Sequence, residues 1–114
     1  MDLLTIALTI CLQTDNLDCD NIPVEVTQLK HGVAGHALLY RSGNMKIEVN
    51  EHFYLDASKR DLKSLLVHEY AHLQTYKEGH LNGNHGNTFR NNCLELASRV
   101  GVSTYKTCSE SRGH

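Results

Sequence analysis

A chain of 114 residues, 40% hydrophobic and 21% charged, has globular composition and length for one domain, which excludes a disordered tail and a second unit. Its 11 basic and 13 acidic residues are interspersed, for a net charge of −2, so no Lys/Arg cluster is set to neutralise phosphates. Strong nucleic-acid binding by this chain alone is therefore not expected.

The opening MDLLTIALTICLQ has an apolar run but no basic flank and no small-residue cleavage site, and Asp2 stands where a signal peptide carries positive charge. The run is too short to span a bilayer. Leu4, Ala7, Leu8 and Cys11 recur at helical spacing, which predicts a short amphipathic helix. The four cysteines, Cys11, Cys19, Cys93 and Cys108, form no CxxC pair, so neither a zinc ribbon nor a thioredoxin-type motif is present. An even count permits two disulfides. Without an export signal, however, the expectation is free thiols, a cytoplasmic location and no membrane association.

In IPVEVTQL, Ile22, Val24 and Val26 alternate with polar residues, as in a half-buried strand. GHALLYRSGNMKIEVN reads as a hairpin turning at Ser42-Gly43-Asn44, with Met45, Ile47 and Val49 on one face of its second strand. A long helix follows, capped by Asp56 or Ser58 and ended at Gly79. HLNGNHGN is then a loop, and a last helix over about TFRNNCLELASRV, capped by Asn87, stops at Gly101. The tail from Ser103 to His114 carries little periodicity.

The long helix carries the chemistry. On a wheel of ~100° per residue, Leu62, Leu65, Leu66, Leu73 and Tyr76 share an arc of roughly 100°, a core-facing stripe. Glu69 falls inside that arc, with His68 and His72 along its border one turn apart. A carboxylate buried there without a partner costs several kcal/mol, about the penalty for an isolated buried ion. Histidines four apart can present ring nitrogens to one point, where a divalent metal would use both. Glu69, offset by one residue, would accept a proton from metal-bound water rather than ligate. The string His68-Glu69-Tyr70-Ala71-His72 is HExxH. The plainer reading is two partly exposed histidines and a Glu paired with a strand residue.

A catalytic zinc takes three protein ligands and a water. Candidates for the third are Glu78, His80, His85 and Glu95. Glu78 is six residues beyond His72 but lacks the intervening glycine of compact zincins, and its helix phase points away. His80 would need a tight reversal, and Glu95 lies on the last helix. His85 precedes that helix, with Gly86 for close approach and Phe89 as anchor.

HEYAH, a short loop and HGNTF together resemble the SprT-like family, as does the preceding AGHALLY…MKIEVN, over about residues 22–100. The resemblance implies a zinc metallopeptidase domain in which His68, His72 and His85 bind Zn2+ and Glu69 is the general base, with Gly86 and Phe89 in structural positions. Spartan-type members of that family degrade proteins crosslinked to DNA through separate DNA-binding segments, and many bacterial members add a CxxC zinc ribbon. These residues contain neither feature, so DNA enters as a partner only through the family resemblance.

Other polar residues carry weaker signals. His31, His36, His52 and His114 lack ligand spacing and read as surface or strand histidines. Tyr54 and Tyr70 have no assigned role, Tyr76 reads as packing, and Cys93 as a small buried residue. Asp56 or Glu95 could orient the ligand imidazoles.

The expected architecture is a single α+β, zincin-like domain over residues 1–114: an N-terminal helix, a small three-stranded sheet, the HExxH helix and a closing C-terminal helix. The expected activity is hydrolysis of a protein or peptide substrate, which would pair with an exposed edge strand carrying Met45 to Val49. The alternative is a non-catalytic, zinc-stabilised structural or adaptor module of a larger assembly.

Overall fold

The computed structural model describes residues 2–81 and 85–109. Among these are five α-helices and a three-stranded sheet, an α+β architecture. The helices are α1 (Leu3–Cys11), α2 (Glu51–Asp56), α3 (Lys59–Lys77), α4 (Asn87–Val100) and α5 (Thr104–Cys108); the strands are β1 (Val24–Thr27), β2 (Gly35–Leu39) and β3 (Met45–Asn50). Part of the loop predicted after α3, residues 82–84, lies outside the described residues, as does His114.

α1 forms where its spacing predicts, and Asp2 caps it by accepting from the Leu4 N–H. The buried face differs from the expected one. Leu3, Ile6, Ala7, Ile10 and Cys11 pack inward, while Leu4 and Leu8 are exposed. This helix is apolar on more than one side, so periodicity alone selects no face.

The strand order is β1-β3-β2, with β1 parallel and β2 antiparallel to β3. β3 is thus the central strand, and the expected pairing of a substrate with an open edge at Met45–Val49 is corrected: both sides of β3 are taken. Ile47 and Val49 are fully buried on the inner face, whereas Lys46 and Glu48 lie on the other face with Glu25 and His36. Asn50 donates its backbone N–H to Ala34, and Tyr40 donates to Asn44. By antiparallel alternation, Gly35, Ala37 and Leu39 then turn their backbone groups to the open edge of β2.

Gly35 permits the approach of β2 to α3. A Cβ there would lie 2.8 Å from the Glu48 carbonyl oxygen and 3.1 Å from a Leu65 methyl carbon. α3 itself starts at Ser58, whose hydroxyl accepts from the Asp61 N–H. It ends as predicted at Gly79, whose φ of 95° is a left-handed conformation that other residues rarely adopt. From Ser64 to Thr75 every residue is buried, so α3 is enclosed around its circumference rather than on one stripe.

The cysteines correct a further expectation. Cys11 is joined to Cys19 and Cys93 to Cys108, with no free cysteine. Folding brings the Cα atoms of these pairs to 5.9 and 5.7 Å, a proximity that sequence spacing does not reveal. The cytoplasmic expectation loses the support it drew from free thiols, because disulfides persist chiefly in oxidising compartments. No helix among the described residues is long and apolar enough to cross a membrane.

Candidate metal centre

Two histidines and a glutamate lie in the enclosed middle of α3: His68 and Glu69 at 0% exposure and His72 at 1%. One helical turn sets the rings of His68 and His72 with centroids 5.1 Å apart. α4 packs against α3 and carries the remaining parts. Gly86 is its N-cap, His85 immediately precedes it, and Phe89 is buried in its first turn.

The His85 Nε2 lies 3.0 Å from the Nε2 of His72, and one nitrogen from each of His68, His72 and His85 falls within 4.8 Å of the others. Phe89 is the floor beneath all three, with ring centroids 5.0 Å from His68, 4.2 Å and stacked on His72, and 4.8 Å from His85. Among the described residues no other trio of His, Cys, Asp or Glu converges in this way.

The other third-ligand candidates lie elsewhere. Glu95 is exposed and paired with Arg99. Glu78 accepts from the Asn92 side chain at 2.8 Å, and His80 is exposed. His36 pairs with Glu48 at 2.6 Å. His31, His52 and Asp56 line a cavity of about 420 Å3, but their donor atoms do not converge.

Glu69 is the anomaly. Neither carboxylate oxygen has a hydrogen-bond partner of normal geometry. Burial pushes its pKa from 4.5 to about 8, partly offset by the Ala37 backbone N–H on the open edge of β2. A carboxyl so enclosed requires either a proton or a positive partner. The nitrogen donor set fits a divalent metal: bonds of 2.0–2.1 Å in a tetrahedron place nitrogens roughly 3.3 Å apart, close to the His72–His85 spacing. The three histidines together could therefore bind a metal ion.

His68 is oriented from a place the sequence does not advertise. Its Nδ1 lies 2.8 Å from the Thr107 carbonyl oxygen on α5. A carbonyl only accepts, so Nδ1 carries the proton and the Nε2 lone pair is left for a ligand bond. Neither Asp56 nor Glu95, the residues expected for this orienting role, provides this bond to His68. Thr107 was missed because a backbone carbonyl has no residue-type signature.

Tyr76 packs against the core as expected, and it also borders the site. It is half-buried beside the site and stacks on His72 with centroids 6.1 Å apart. Burial raises its phenol pKa, and the Glu69 charge raises it further. With Leu29, Lys30, Val33, His36 and Ala37 it lines a groove of about 380 Å3 along β2. Tyr70 lies in the core, and Tyr54 packs against it.

With this geometry established, the family assignment follows. The sequence model of the SprT-like family matches residues 11–110, nearly the whole chain, and the chain belongs to that family. Searches of curated proteins and of solved structures return no match.

Proposed function

We propose that this chain is a zinc metallopeptidase of zincin type, in which His68, His72 and His85 hold Zn2+ and Glu69 is the general base. The observation that carries the reading is Glu69: a fully buried carboxylate with no hydrogen-bond partner of normal geometry, one residue from the first of three converging histidines. A Zn2+ ion held there would polarise a scissile carbonyl and lower the pKa of a water to about 7.

The chain's own residues supply the rest. Glu69 takes a proton from the attacking water and delivers it to the leaving amine. Phe89 and the Thr107 carbonyl hold the imidazoles in place, so the centre is organised before substrate arrives. An extended protein or peptide substrate lies along the open edge of β2, where the backbone groups of Gly35 and Leu39 and the Ala37 carbonyl are available for strand addition. Tyr76 and Val33 form the wall of the groove beside it.

The test is hydrolysis of an unfolded protein substrate by zinc-loaded wild type and by Glu69→Gln. Hydrolysis lost in the variant with zinc retained supports the enzyme. No hydrolysis by the wild type, with zinc bound, supports a zinc-stabilised structural module instead.

A further inference from the structure

The C-terminal helix α5 has only five residues, yet two of them are buried, Thr107 and Cys108. Thr107 is 0% exposed and held from three directions. Its carbonyl accepts the His68 Nδ1–H at 2.8 Å. Its hydroxyl lies 2.7 Å from the Ser64 hydroxyl, one turn earlier on α3 than His68. Its neighbour Cys108 is bonded to Cys93, which is fully buried on α4.

A helix of this length has no stability of its own. The position of the Thr107 carbonyl is therefore set by its anchors, of which the disulfide is the only covalent one. That carbonyl selects the tautomer of His68, and so determines whether Nε2 offers a lone pair to a metal.

From these contacts we infer that Thr107 is the positioning residue of the metal centre and that the Cys93–Cys108 disulfide, acting through it, sets the metal affinity of His68, His72 and His85. The inference rests on the metal-centre reading above. It assigns the two disulfides different tasks. Cys11–Cys19 ties α1 to the segment after it, eight residues on, and is assigned to stability alone. Cys93–Cys108 serves the site.

The experiment compares three full-length proteins: wild type, Cys93→Ser with Cys108→Ser, and Cys11→Ser with Cys19→Ser. Zinc affinity is measured by competition with a chromophoric chelator. The d–d absorption of the cobalt-substituted proteins reports ligand geometry, and 15N spectra of the metal-free proteins report the His68 tautomer. The expected result is zinc affinity about 10–100-fold weaker in the Cys93/Cys108 variant, the usual consequence of losing a partner that orients a ligand. Its cobalt bands should change and its His68 Nδ1–H tautomer should no longer dominate, while the Cys11/Cys19 variant keeps wild-type values for all three.

Equal loss in both variants would overturn the inference, because it would reflect general destabilisation. So would unchanged affinity and spectra in the Cys93/Cys108 variant. Ser64→Ala removes the other side-chain anchor of Thr107 and keeps the test decisive if that double variant does not fold: weaker zinc binding is expected, and unchanged binding refutes the proposal. A wild type that takes up no metal is a separate outcome, contradicting the metal-centre reading itself.

Discussion

His72 and His85 lie 13 residues apart in the chain, and their Nε2 atoms are 3.0 Å apart in space. The two nitrogens arrive from different helices, one from the enclosed middle of α3 and one from the approach to α4. What fixes their separation is Phe89, whose ring stacks on His72 and also lies under His85.

Phe89→Ala is accordingly predicted to act twice. Removing a fully buried aromatic ring costs about 3–5 kcal/mol of stability. Zinc affinity should also fall, because both imidazoles lose their floor, whereas Phe89→Leu should recover most of the stability and less of the affinity. Denaturant unfolding and chelator competition on the same samples check this.

Glu69 predicts an unusual pH dependence for the metal-free protein. Its folded pKa of about 8 lies above the ordinary 4.5, so between those values the folded chain holds a proton that the unfolded chain has released. Stability from this group is therefore fully present below pH 4.5 and is lost as pH rises towards 8, by at most about 5 kcal/mol. Metal-free Glu69→Gln should lack that slope and should be more stable than metal-free wild type at pH 8. Urea unfolding of both proteins from pH 5 to 8 reads the difference directly; parallel curves would contradict it.

At Gly35 the prediction concerns a close approach. A methyl group would lie 2.8 Å from the Glu48 carbonyl, which is backbone and cannot swing away. Gly35→Ala should cost about 1–3 kcal/mol, in the range of overpacked sites, and should displace β2 from α3. The shift in thermal midpoint measures it.

The disulfides give a chemical prediction. Alkylation of the unreduced, denatured protein should label no cysteine, and peptide mapping should recover the Cys11–Cys19 and Cys93–Cys108 links. Removing the Cys11–Cys19 bond should cost on the order of 2–3 kcal/mol, as expected for a short closed loop.

These residues also show what was legible in the chain beforehand. HExxH was readable because side chains four apart on a helix must share a face, whatever packs against them. The turn glycines were readable because their conformations exclude other residues: Gly43, Gly79 and Gly101 all have positive φ. α1 was found as an element but its inner face was not, because Leu4 and Leu8 compete with Leu3, Ile6 and Ile10 on apolar character alone. The hairpin was legible, but β1 joining β3 in parallel was not, since that pairing depends on where the chain returns. The Cys93–Cys108 bond and the Thr107–His68 contact depend on α5 folding back against α3 and α4. No period in the tail announces that return.

Zinc content of tag-free wild type and His85→Ala, measured side by side by elemental analysis, tests the central claim most directly. The account predicts one zinc per chain in the wild type and most of it lost in the variant. Full zinc in His85→Ala, or no metal in either protein, would contradict it.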